Sequence, residues 1–403
     1  MKSYLGTGAA SRRWTWWVAA AAIAVAARGG YSLSTVPPRG LPYVTGALAL
    51  ALLAVAAVAG LLARGGPARG LLLYVAALVA VGAPSFVAMV RLVILDPACS
   101  TMGAFSTRGE LVDRGLTVLL ASLLFGAAAT ALYGGAGTSG DRATSTVRRR
   151  LRRGVLLVGG AMFAYQTARF ASYFIEAAAD AIPGAWTSCV RATASGISDL
   201  PLTVGIDLVS GFEEEIAFTG IALLVLGRAP RARSAAQFAV VGALLRAVMH
   251  FYYTVEAPWW SFLSVIAWTL AWSGLTLLGC YLVLRLTQAW TVPAVAAVTL
   301  GAATAHSVMN LDNGSVAIAT ALSDQGHAAA GGAFIVALAL LIGGPPLAVV
   351  VCGVGPLICS SASRERAMRA LRAEVSAPAR PAELGGAIAP LPGSEDREPE
   401  SAG

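Results

Sequence analysis

The chain has 403 residues, 57% of them hydrophobic and only 12% charged, with a mean hydropathy of +0.71. A soluble domain carries about 25% charged residues, so an ordinary cytosolic enzyme and a disordered chain are excluded. The net charge of +8 is arginine, Lys2 being the one lysine. The arginines cluster between apolar runs, as topology signals rather than as a nucleic-acid surface.

A membrane-crossing helix needs about 20 apolar residues. About ten such runs occur, near 15–28, 44–63, 71–94, 116–133, 154–178, 202–227, 235–256, 260–284, 290–311 and 333–360. The first follows Arg12 and Arg13 and opens with Trp14, Trp16 and Trp17, an interfacial anchor. No persuasive small-residue cleavage site comes after it, so an uncleaved first helix is expected. Arg64 and Arg69 come next, then Arg148, Arg149, Arg150, Arg152 and Arg153, then Arg228, Arg231 and Arg233, then Arg285, and finally Arg364, Arg366, Arg369 and Arg372. With ten helices every one of these groups falls on the side of Lys2, Arg12 and Arg13, which places both termini in the cytoplasm. The expected fold class is an all-α, polytopic transmembrane helical protein in the lipid bilayer. Residues 1–150 form N-terminal helices of no assigned role, 151–360 a second helical region, and 361–403 a cytoplasmic tail. From about 376 the tail is rich in Pro, Ala, Gly and Glu and is expected to be disordered.

Five cysteines are present and no CxxC. Cys280, Cys352 and Cys359 lie in or beside apolar runs and read as buried thiols. Cys99 and Cys189 fall in two connections on the outer side, where a disulfide between them or two separate thiols would both fit.

Ionisable residues at membrane depth carry the functional signal, because they are costly there and face an interior site or a partner. The sixth run contains Glu213, Glu214 and Glu215 in succession. Neighbours on a helix point about 100° apart, so the three cannot share one face, and at least one is expected to hold a proton or an arginine. The seventh run places Arg246 and His250 four residues apart, on one face; the ninth does the same with His306 and Asn310. His327, in a Gly/Ala-rich connection, reads as incidental. Counted from the predicted cytoplasmic ends at 1.5 Å per residue, Glu214, His250 and His306 lie at about 20, 22 and 24 Å. Three polar positions on three helices are thus expected to converge in the outer half of the membrane.

A glutamate and a histidine around one water form a general-base pair for hydrolysis. A second histidine and an asparagine amide can donate to a developing oxyanion. Neither HExxH nor GxSxG occurs. Glu214, His250 and His306 would also make a three-ligand site for a divalent metal such as zinc with one open position; spacing alone does not separate the two mechanisms.

The pattern resembles the intramembrane endopeptidases of the CAAX-processing type II and bacteriocin-processing (CPBP, Abi) class. That family carries EExxxR, then FxxxH, then HxxxN or HxxxD, each on its own transmembrane helix. Here the first motif is matched by Glu214-Glu215-Ile216-Ala217-Phe218-Thr219-Gly220, the second in part by Arg246 to His250, and the third by His306 to Asn310. The resemblance covers residues 200–312 and more loosely reaches 360, which makes 151–360 a CPBP-like protease core. It implies that Glu214 activates water with His250, that Glu215 assists or orients, and that His306 and Asn310 form the oxyanion site. Members are described as glutamate-type or as metal-dependent; a metal-free mechanism is favoured here. The implied substrate is a membrane-associated protein or peptide, and the Arg-over-Lys bias points to a bacterial plasma membrane. Two positions depart from the pattern: Thr219 replaces the usual arginine and Arg246 the usual phenylalanine. Either a positive charge lost from one helix returns on the next, with Arg246 in a supporting role, or the chain has diverged from protease activity. A proton-coupled transporter and a catalytically silent membrane scaffold are the alternative functions.

Overall fold

A computed structural model describes residues 8–36, 38–63, 69–95, 107–134, 147–182, 200–227, 230–254 and 257–351, together with 365 and 369. Cys99, Cys189, Cys352, Cys359 and the tail from 376 lie outside the described residues. Every regular element among those described is helical. The first five helices are α1 (Gly8–Thr35), α2 (Leu41–Ala63), α3 (Arg69–Leu95), α4 (Thr107–Tyr133) and α5 (Val147–Asp180). Then come α6 (Leu200–Glu215), a π segment (Ile216–Gly220) and α7 (Ile221–Leu226). The chain continues through α8 (Ala232–Met249), 3-10 turns at Phe251–Thr254 and Trp259–Ser261, α9 (Phe262–Thr269), a second π segment (Leu270–Gly274) and α10 (Leu275–Thr287). It closes with α11 (Val292–Asn313), α12 (Ser315–Asp324) and α13 (Ala328–Val349).

The protein is a polytopic membrane protein. Seven described segments are long and apolar enough to cross a bilayer: Pro38–Ala63, Arg69–Val87, Arg108–Tyr133, Ala232–Met249, Trp259–Thr287, Val292–Asn313 and Ala328–Val349. The other three runs fold differently from a simple apolar rod. α1 and α5 are long, at 28 and 34 residues, but polar side chains dilute them. The run 202–227 is split by its π segment after 16 helical residues.

α1 to α4 pack on one another, and α4 and α3 then meet α6 and α8. α11 is the central post, lying against both α5 and α6. Small residues make that possible. A Cβ on Gly211 of α6 would overlap Ser307 Oγ, and would stand 2.5 Å from the Ser307 backbone nitrogen and 2.7 Å from the Ala303 carbonyl oxygen. A Cβ on Gly301 would overlap the Val158 carbonyl oxygen of α5. Backbone lies against backbone at both places, as small residues allow in membrane bundles. The Ser307 hydroxyl seals the first contact by donating to the Leu208 carbonyl at 2.6 Å. Gly211→Ala is therefore expected to push α6 off α11 and to cost about 1–3 kcal/mol. Thermal unfolding in detergent checks this; an unchanged midpoint would show that the two helices part without penalty.

The N-terminal helices also hold the π segment. Tyr74 of α3 donates to the Phe218 carbonyl at 2.8 Å, and Tyr133 of α4 donates to the Leu224 carbonyl at 3.0 Å. A π turn shifts the backbone ladder by one residue, and tyrosine hydroxyls from the first half of the chain satisfy carbonyls beside it.

Candidate functional site

The three consecutive glutamates end α6, immediately before the π segment. As their 100° spacing requires, they part company. Glu213 turns to α4, where Arg114 Nη1 donates to its Oε1 at 2.8 Å. Glu214 and Glu215 turn to α8, where Arg246 meets both. Arg246 Nε and Nη2 donate to Glu214 Oε2 at 3.0 and 2.7 Å, and Nη2 also donates to Glu215 Oε1 at 3.0 Å. The guanidinium is fully buried between rings, its central carbon 4.5 Å from the centroid of Phe218 and 4.1 Å from that of Trp272. An arginine so placed needs its carboxylates, since a buried charge without a partner costs several kcal/mol.

Glu215 is the hub. It is fully buried and takes three partners besides its own helix: Arg246, the Thr219 hydroxyl at 2.5 Å on Oε2, and His306 Nδ1 at 3.1 Å on Oε1. Thr219 reaches back one turn, four residues along the chain from Glu215. Glu214 is 17% exposed. Both of its bonds to Arg246 use Oε2, so Oε1 takes no part in them.

His250 caps the end of α8, and its Nδ1 lies 2.8 Å from the Arg246 carbonyl. A carbonyl only accepts, so Nδ1 carries the proton there, and in the neutral ring Nε2 carries the lone pair. The same logic puts a proton on His306 Nδ1, which faces a carboxylate. Aromatic rings fix both imidazoles. His306 stacks on Tyr165 and meets the edge of Trp272, each with centroids 5.1 Å apart. His250 stacks on Tyr253 at 5.8 Å and meets the edge of Trp268 at 5.6 Å. Asn310, one turn beyond His306 on α11, donates through Nδ2 to Ser210 Oγ at 2.8 Å. Its second amide proton is not used by that bond. Two donors at the centre, Arg246 Nη1 and Trp272 Nε1, are buried without a hydrogen-bond partner.

The structure thus brings together Glu214, Glu215, Arg246, His250 and His306, with Asn310 one turn away. Arg246 stands between the carboxylates, and among the described residues no group of three or more His, Cys, Asp or Glu is disposed to hold a metal ion. Glu214, His250 and His306 do not form the metal triad that their spacing allowed. His327 is exposed at the start of α13, away from this centre.

Sequence reasoning missed several neighbours. Tyr165 and Trp272 give no periodic signal, and Trp272 owes its position to the second π segment. Arg169 and Glu176 did carry a signal: they are ionisable, at membrane depth and seven residues apart on one face of α5. They form an ion pair, Trp268 Nε1 donates to the same carboxylate, and the guanidinium lies 4.6 Å from the Tyr173 centroid. Comparison with protein-family models, with curated proteins and with solved structures finds no match.

Proposed function

We propose that the protein is an intramembrane endopeptidase of the CAAX-processing and bacteriocin-processing type. It would hydrolyse a peptide bond in a membrane-associated protein or peptide. The observation that carries this reading is the assembly of Glu214, Glu215, His250 and His306 from three elements around one buried centre, which also holds two unpartnered donors. Buried donors are rarely left unsatisfied, so a polar guest such as a peptide carbonyl suits the place.

In this mechanism Glu214 Oε1, assisted by His250, takes the proton of a water whose oxygen attacks the scissile carbonyl carbon. The negative charge on the carbonyl oxygen is met by the free amide proton of Asn310 and by His306 through Nε2. For that donation His306 carries both ring protons, with Glu215 as its counter-charge. Collapse of the tetrahedral species expels the amine, which receives the proton held by the base. Arg246 keeps both glutamates in place, taking over the charge that the family pattern puts at Thr219.

The proposed topology has ten spans. α1, α5 and the α6–α7 unit join the seven apolar segments, and the arginine groups then put both termini in the cytoplasm. The composition favours a bacterial plasma membrane.

The test is cleavage in the native membrane. New protein N-termini should appear in cells carrying wild type and vanish with His250→Ala at equal expression. Identical termini in both, across growth conditions, would sink the hydrolase. A second reading, a proton-coupled transporter, draws on one specific observation: the ion pairs continue past the centre to Glu213 and Arg114.

A further inference from the structure

The protease motifs give no task to Glu213, nor to the charges on the N-terminal helices that it meets. Along the seam where α4 packs on α6, these charges make a ladder. Arg114 donates to Glu110 through Nε and Nη2 at 3.1 and 3.0 Å and to Glu213 at 2.8 Å. One residue before Arg114, Asp113 holds Arg28 of α1 through two bonds of 2.7 Å. Asp207, one face of α6 nearer its start, stands in the field of Arg114 and Glu110 and takes part in no ion pair described. Next to Glu213 the ladder runs into Glu214, Arg246, Glu215 and His306.

Two features of the ladder matter. The first is its charge: six carboxylates (Glu110, Asp113, Asp207, Glu213, Glu214, Glu215) face three arginines (Arg28, Arg114, Arg246). The two histidines stand only at its inner end. A dry interior does not hold such an excess of ionised carboxylates; water or protons must reach them. The second is the gradient of side-chain exposure. It is 43% at Glu110, 29% at Arg114, 18% at Asp113, 13% at Glu213 and 17% at Glu214, and reaches zero at Glu215 and Arg246. Partly exposed charges at these depths face water rather than hydrocarbon, so the gradient marks a route inward.

We propose that the α4–α6 seam is a hydrated acidic corridor that carries water from the non-cytoplasmic side to Glu214 and Glu215. It deepens the hydrolase reading by naming the source of the water that each bond cleavage consumes, and it gives the N-terminal helices a share in the site. Glu110, Asp113 and Asp207 lie toward the outer ends of α4 and α6 in the proposed topology, which sets the direction. Arg114 acts as a positioning residue, holding Glu213 toward the corridor and away from Glu214.

Thiol accessibility tests the corridor directly. In a parent whose Cys99, Cys189, Cys352 and Cys359 are serine (Cys280 is fully buried and stays), single cysteines replace Glu110, Asp207, Glu213 and Leu119. Leu119 is an exposed apolar residue of the same helix, 48% accessible, and serves as the lipid-facing reference. A water-soluble, membrane-impermeant maleimide is applied to intact cells and separately to inverted vesicles. Because the reactive species is a thiolate in water, Glu110→Cys, Asp207→Cys and Glu213→Cys should label from outside at least roughly tenfold faster than Leu119→Cys. If Glu213→Cys loses its fold with its ion pair, Asp207→Cys decides alone, since it removes no described ion pair. Labelling no faster than at Leu119 in folded protein overturns the corridor. Labelling only from inverted vesicles overturns its direction. The readout is water and not cleavage, so a failed protease test leaves this result standing, and a dry seam leaves the protease test untouched.

Discussion

Arg246→Ala should lower stability by about 3–5 kcal/mol, because it leaves two buried carboxylates facing each other without their shared cation. Turnover should fall with it. The guanidinium is what holds Glu214 Oε2 and Glu215 Oε1 in one place, at 2.7 and 3.0 Å. Arg246→Lys should recover part of the stability, since an ammonium neutralises the pair, but it cannot reproduce the Nε and Nη2 fork on Glu214 or the face-on contact with Trp272. The sharper variant is the double one, Thr219→Arg with Arg246→Ala. Thr219 is already 2.5 Å from Glu215 on the π segment, and the volume vacated by Arg246 lies beside the same carboxylate. An arginine from position 219 should therefore restore some turnover and some of the unfolding midpoint. Thermal unfolding in detergent and counts of new N-termini in membranes read the two effects separately. Unchanged turnover in Arg246→Ala would refute the idea that Arg246 compensates for Thr219.

Why that arginine was legible in the sequence, and Trp272 was not, is a matter of where free energy shows in a linear pattern. A charge inside an apolar run must find a counter-charge, so Glu214, Glu215 and Arg246 announce one another across 32 and 31 residues of chain. The i, i+4 spacing of His306 with Asn310 falls on the regular α11, whereas that of Arg246 with His250 ends at the cap of α8, where His250 leaves the helical conformation. Of the three glutamates, Glu213 turns away to Arg114 while Glu214 and Glu215 share Arg246. Two things stayed hidden. Each π segment inserts a residue into the helical count and rotates the turns beyond it. Trp272, inside the second of them, therefore meets the centre by a register that no 3.6-residue pattern encodes. The N-terminal partners were hidden for another reason: Tyr74 and Arg114 act across 144 and 99 residues, and nothing local to them records the carbonyl or the carboxylate they will meet. A π segment bears on the span count at one place. The run 202–227 reads as one apolar helix, yet folds as two helices around a π segment.

Glu214 and Glu215 should separate in function when each is replaced by glutamine. Glu214→Gln keeps an oxygen for Arg246 and leaves the buried guanidinium balanced by Glu215, so folding should change little. It removes the base, and cleavage should drop by about 10²–10⁴-fold, the usual worth of general-base catalysis. Glu215→Gln strikes the hub instead. An amide presents only one oxygen, so it cannot accept from Arg246, His306 and Thr219 together. Its nitrogen must turn toward Thr219, whose hydroxyl then has to accept where it donated. Each charge-assisted bond lost in this way costs about 1.5–3 kcal/mol, and the counter-charge of His306 goes with them. Glu215→Gln should thus lower the unfolding midpoint well below that of Glu214→Gln while also abolishing cleavage. Equal midpoints for the two variants would contradict the division of labour. So would residual cleavage by Glu214→Gln above that of His250→Ala, which would move the base from the glutamate to the histidine. The asymmetry comes from exposure and partners alone: one carboxylate keeps an oxygen outside its ion pair, and the other has every oxygen engaged.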